Sequence, residues 1–179
     1  MARLRFLTDR DLYEAFPTAA EEMDMEPTDQ PSLAFVNALV SEGQLVKAVQ
    51  FLSYLLPRRE AVWWACQSVR LLAPQRSNAE DAALAAAENW VKEPEEERRL
   101  QALQCGIEGG RQSPSTWLAL AAGWAGGIAM PGVPFPPYQT PRAARAAIML
   151  AFSQAPADQR QDQLRQCIEQ GKRLAGDEP

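Results

Sequence analysis

A chain of 179 residues, 46% apolar and 23% charged, has the length and composition of one ordinary domain that buries its core without staples, far from the regime of intrinsic disorder. Its net charge of −5 opposes attraction to phosphate backbones, and the basic pairs Arg58-Arg59, Arg98-Arg99 and Lys172-Arg173 stand beside acidic or amide residues and read as solvated helix surface, so nucleic acid is excluded as an expected partner. The three cysteines, Cys66, Cys105 and Cys167, lie inside apolar helical patterns without the short spacing that metal or redox motifs need, and read as reduced, buried thiols.

Taken in chain order, the elements are helical. The first ten residues carry Arg3, Arg5, Asp9 and Arg10 with no apolar stretch or small-residue cleavage site behind them, so no signal peptide is expected. Thr8 caps a first helix through Phe16, and Pro17 opens a short piece leading into an exposed acidic loop, Glu21 to Asp29. A helix from Pro31 to Glu42 follows, with Phe35, Val36, Leu39 and Val40 on one face and Gly43 at its end. From Gln44 to Leu56 the residues Leu45, Val49, Leu52 and Leu56 make a core stripe, and from Arg58 to Leu72 the pattern continues through Val62, Cys66 and Val69. Joined by one or two residues, these helices must pack as antiparallel neighbours.

Ser77 or Asn78 caps an alanine-rich helix that ends in Trp90-Val91. Pro94 and the carboxylates Glu95, Glu96 and Glu97 suit the first turn of the next, with Leu100, Leu103 and Ile107 as its buried stripe. Ser113 or Ser115 opens a helix with Trp117, Leu120, Ala121 and Trp124 on one face, stopping at Gly126-Gly127. The stretch from Met130 to Pro141 is too rich in proline for helix or central strand and should run as extended, polyproline-like backbone over the surface. Thr140-Pro141 caps a helix to about Gln154 with Ala144, Ile148 and Ala151 inward, and a last helix from Ala157 to Leu174 uses Leu164, Ile168 and Gly171. No internal repeat of fixed period is present. An uncharged stretch spanning 112–139 is interrupted by prolines and is not expected to cross a membrane.

The expected fold is therefore all-α: a compact multi-helix bundle of about eight to nine helices in antiparallel hairpins, with a Pro-rich surface loop at 131–139. One domain spans 1–179, its first thirty residues a peripheral helix and acidic loop, and the tail 176–179 frays.

Absent residues exclude much chemistry. The chain has no histidine, which removes Ser-His-Asp and Cys-His catalysis, histidine-bearing zinc sites and the Glu-x-x-His di-iron signature. Neither a GKS/GKT phosphate loop nor a strand followed by GxGxxG occurs. No metal and no cofactor is expected. Glu60 and Glu88 remain as acid/base candidates; the blander account is that Glu60 stabilises a helix N-terminus and Glu88 pairs with an arginine, with Glu97 and Arg98 as further ion-pair candidates. Cys66 lacks an activating partner and reads as inert.

Two groups invite a binding role. In Arg58-Arg59-Glu60-Ala61-Val62-Trp63-Trp64 the adjacent indoles point about 100° apart on a helix, so both cannot sit at the centre of one narrow stripe. Either both are core or boundary residues packed by neighbouring helices, or one reaches an edge or groove and joins the arginines in a recognition surface, where such residues are favoured. The second group is Phe135, Pro136, Pro137 and Tyr138, which either clamp a partner or pin the loop over the domain's own core.

The run Leu56-Pro-Arg-Arg-Glu-Ala-Val-Trp-Trp-Ala-Cys66, then Ala86-Ala-Glu-Asn-Trp-Val-Lys-Glu-Pro94 with Glu97-Arg98, then Gly123-Trp-Ala-Gly-Gly127 and Val133-Pro-Phe-Pro-Pro137, resembles an uncharacterised bacterial family defined only as a domain of unknown function. The resemblance extends from about Ser32 to Gly171. That family often carries a second cysteine two residues after the first, where Ser68 stands here. The resemblance implies a context among accessory members of type VI secretion gene clusters, beside effectors and spike proteins. The expectation is a non-catalytic cytoplasmic adaptor or chaperone-like protein whose partner is another protein, such as a secretion effector or spike component. The alternatives are a carboxylate-based enzyme or metal-binding helical protein, and a homo-oligomeric structural protein.

Overall fold

The structure, a computed structural model, describes residues 4–176. Most of the tail expected to fray, 177–179, lies outside them. Among the described residues the chain is an all-α fold of ten helices and one minute hairpin: α1 (Asp9–Ala15), α2 (Pro17–Met23), α3 (Ser32–Ser41), α4 (Leu45–Leu55), α5 (Arg58–Leu72), α6 (Asn78–Lys92), α7 (Glu96–Glu108), α8 (Pro114–Gly123), β1 (Ile128–Met130), β2 (Val133–Pro134), α9 (Gln139–Gln154) and α10 (Arg160–Ala175).

Local chemistry sets the boundaries. Thr8 and Ser77 form reciprocal capping boxes with Asp11 and Glu80, each supplying an acceptor to one orphan N–H and receiving one in return. Pro17 and Pro114 occupy first-turn positions, where a missing N–H costs nothing. The count exceeds the expected eight to nine because Phe16 turns the chain and lets Pro17 start a helix of its own.

That N-terminal segment is not peripheral. Leu12, Tyr13, Phe16, Ala19 and Met23 are buried, because their apolar spacing continues across the α1–α2 turn. Tyr13 meets Phe35 and Phe51 edge-on, Phe16 lies 5.0 Å from Tyr54, and the Ser32 hydroxyl donates to Phe6 O at 2.9 Å. The acidic stretch after it is largely exposed, as expected, but it is tied down: buried Asp9 accepts from Thr28 N and Oγ1, and Glu22 pairs with Arg142 and accepts from Tyr54 Oη at 3.2 Å. Burial, with Glu22 beside it, pushes the Tyr54 phenol up to about 12.

Helix α5 is central and packs on α6, α8, α9 and α10. Helix α8 is buried almost all round instead of along one face. This follows from its small residues, which let α7 and α9 close on it from two sides. Helix α7 corrects the expected register. Its buried face is Arg99, Ala102 and Gly106, while Leu100 and Ile107, expected inside, are 49% and 58% exposed. Close approach decides this. A Cβ on Gly106 would lie 2.9 Å from Leu120 N, and one on Gly123 would lie 2.7 Å from Leu103 Cα, so α7 and α8 meet backbone to backbone through glycine, a contact the large apolar residues could not allow.

Candidate functional site

The two tryptophans of α5 diverge as their spacing requires. Trp64, a candidate contact residue, is completely buried, and its Nε1 donates to Cys167 O in α10 at 2.7 Å. Gly171, one turn on, makes room: a Cβ there would lie 2.9 Å from Trp64 Cε2. Trp64 is thus removed from the recognition surface, its apolar body belonging to the core and its one polar atom satisfied there.

Trp63 is the indole at the edge. It is half-buried and shared by two clefts, one of about 210 Å³ lined with Trp64, Gln67, Gln170, Arg173 and Leu174, the other of about 300 Å³ lined with Arg59, Glu60, Val91 and Lys92. Since α5 packs against both α6 and α10, the paired clefts cross it from the C-terminal end of α6 to α10. The expected arginines serve partly as fasteners. Arg58 Nη1 donates to Ala125 O at 2.9 Å, beyond the end of α8, so Arg58 is turned away from Trp63. Arg59 donates to Val91 O at 2.6 Å and Lys92 O at 3.3 Å, meeting the unpaired carbonyls and negative end of α6 while staying at the cleft.

The second expected group is held elsewhere. Phe135 and Tyr138 are half-buried, Tyr138 with the Arg142 guanidinium 4.2 Å over its ring and Phe135 with that of Arg99 at 5.9 Å. These partners are the chain's own, so the loop is pinned over the domain, and the structure does not bring it to Trp63. Nor is the loop polyproline-like throughout. Residues 128–134 form the β1–β2 hairpin, with Ile128, Met130 and Val133 exposed. Gly132 supplies the positive φ of its turn.

Arg99, expected with Arg98 on solvated helix surface, is instead buried and holds this region. It pairs with Glu96, donates to Gly123 O and lies flat against Gly127, where any Cβ would overlap the guanidinium. The Gly126-Gly127 pair was the only signal, legible as a helix stop and not as a seat for an arginine. Replacing Arg99 with Met removes these bonds, each about 1.5–3 kcal/mol when one partner is charged. Amide exchange at 126–135 should then accelerate while α4 and α5 stay protected, as measured by hydrogen-exchange mass spectrometry; unchanged exchange there would contradict the clamp.

The acid/base candidates do not converge. Glu88 is engaged by Arg70 in a two-pronged pair at 2.8 and 2.9 Å, whereas Glu60 lies ten residues before Arg70 on α5, roughly 15 Å along the axis. Arg98 pairs with Glu93; Glu97, expected in an ion pair, instead accepts from Gln101. Burial pushes the Cys66 and Cys167 thiols up, as inert thiols require. Cys105 is only half-buried, at a cavity of about 430 Å³ between α6, α7 and α8, where Glu80 is already committed to the Ser77 cap and to Ser113 Oγ. Among the described residues no group of three acidic or cysteine side chains could hold a metal ion, and no helix is long and apolar enough to cross a membrane.

Compared with known proteins, residues 35–175 match a family model described as a family of unknown function, DUF6931. No curated protein and no solved structure matches.

Proposed function

We propose that this chain, which belongs to the DUF6931 family of unknown function, is a non-catalytic protein-binding accessory protein whose contact surface is centred on Trp63. The observation that carries the reading is a half-exposed indole set between two adjoining clefts on the central helix, in a chain whose other α5 tryptophan is wholly buried. A partly exposed tryptophan with mixed polar and apolar surroundings is the kind of residue that dominates protein interfaces. The resemblance of the Leu56–Cys66 run to proteins associated with type VI secretion clusters supplies the finer proposal. In that context the protein acts in the cytoplasm as an adaptor or chaperone that holds an effector or spike component before loading.

The test is affinity capture with tagged chain in the bacterium that encodes it, comparing wild type with Trp63→Ala. A central interface tryptophan is worth about 2 kcal/mol or more, roughly thirtyfold in affinity. A secretion spike or effector should be recovered with wild type and depleted by that factor with the variant. Equal recovery with both would remove Trp63 from the interface, and recovery of no such protein would remove the secretion context.

A further inference from the structure

The chemistry around Trp63 narrows the partner. Three cationic side chains line the paired clefts, Arg59 and Lys92 on one side and Arg173 on the other, against a single carboxylate, Glu60. This local excess of positive charge stands on a chain whose net charge is −5. Arg59 spends hydrogen bonds on the end of α6 but keeps its charge; Lys92 and Arg173 make no side-chain hydrogen bond or ion pair among the described residues. The neighbouring acids are already engaged by other cations, Glu88 by Arg70, Glu93 by Arg98 and Glu169 by Lys172. Between the cations lie apolar floor from Trp63, Val91 and Leu174 and two side-chain amides, Gln67 and Gln170, suited to a peptide backbone.

We infer that the Trp63 surface takes an acidic, extended segment of a partner protein, with an apolar side chain seated on the indole and a carboxylate toward each end. This rests on the protein-binding reading. Packed helices stand about 8–10 Å apart, so a path from the α6 side across α5 to α10 spans roughly 16–20 Å. Extended chain covers about 3.3 Å per residue, so the two carboxylates stand about five to six residues apart with the anchor between them. Glu60, on the same surface, repels a carboxylate placed too close to the anchor and so favours the wide spacing.

The test uses the full chain and fluorescent synthetic peptides in anisotropy titrations up to millimolar concentration. The probes are a central Leu with Glu residues at that spacing, the same peptide with Lys for Glu, and the same peptide with Gly for Leu. The acidic, Leu-bearing peptide should bind at least about tenfold tighter than either comparator, and should weaken as salt rises. Lys92→Glu with Arg173→Glu should abolish the acidic preference and favour the lysine peptide, with circular dichroism unchanged and the melting temperature lowered only slightly, since both side chains are exposed but each stands in the last turn of its helix. Undetectable binding of the acidic peptide, or equal binding of the acidic and lysine peptides, overturns the inference. If a cellular partner is still lost with Trp63→Ala in that case, the protein-binding reading survives and only the partner's chemistry was wrong. If capture is insensitive to Trp63→Ala, the reading itself fails.

Discussion

Trp64→Ala should be the most destabilising single substitution on α5, costing about 3–5 kcal/mol for the lost burial and the cavity left behind. The indole is fully buried among α4, α5 and α10, and it joins α5 to the α10 backbone by a hydrogen bond. For a chain of this length each kcal/mol lowers the melting temperature by roughly 2–4 °C. Trp64→Phe should fall between, since it keeps much of the apolar volume but loses the donor, worth about 0.5–1.5 kcal/mol. Trp63→Ala should cost much less than Trp64→Ala. Calorimetric melts of the three variants check the order, and equal losses at positions 63 and 64 would mean that the buried and edge roles of the two indoles are misassigned.

Gly123→Val is the second large effect. Its Cβ would meet the Cα and Cβ of Leu103 at 2.7 Å, and because a backbone atom is involved no rotamer change relieves the overlap. Helices α7 and α8 must separate, at a cost of about 1–3 kcal/mol. Gly110→Ala is the matched control. Its Cβ would meet nothing within 4 Å, so the variant should be neutral or gain about 0.4–1 kcal/mol by restricting the unfolded chain. Urea unfolding of the pair measures the difference, and equal stabilities would refute the close α7–α8 contact.

Much of the fold was legible because helix period, caps and prolines act locally. Thr8 and Ser77 start helices where their side-chain chemistry places them, and the core stripes of α3, α4 and α5 are buried as their spacing implies, except Val40 of α3, which is half-buried. The failures came where tertiary contact outweighs local pattern. Leu100 and Ile107 look like a buried stripe, but glycine-mediated approach turns α7 about its axis and puts Arg99 inside. The divergence of Trp63 and Trp64 could be read from helix geometry; which one faces outward depended on where α10 docks, and Gly171 decides that. Arg58 and Arg59 were recognisable as unusual, yet their acceptors are carbonyls at helix ends distant in sequence. The aromatics of the proline loop met the same limit, since the arginines that hold them come from α7 and α9.

The structure leaves a competing exposed apolar set, Leu100 and Ile107 on α7 and Ile128, Met130 and Val133 on the hairpin, which could instead mediate association, including between copies of this chain. Site-specific photo-crosslinking in cells separates the two directly, with the crosslinking residue placed at Gln67, in the cleft beside Trp63, or at Ile107 on α7. A discrete adduct to a different protein is expected from position 67, abolished by Trp63→Ala, and none from position 107. An adduct from position 107 with none from position 67 would contradict a contact surface centred on Trp63.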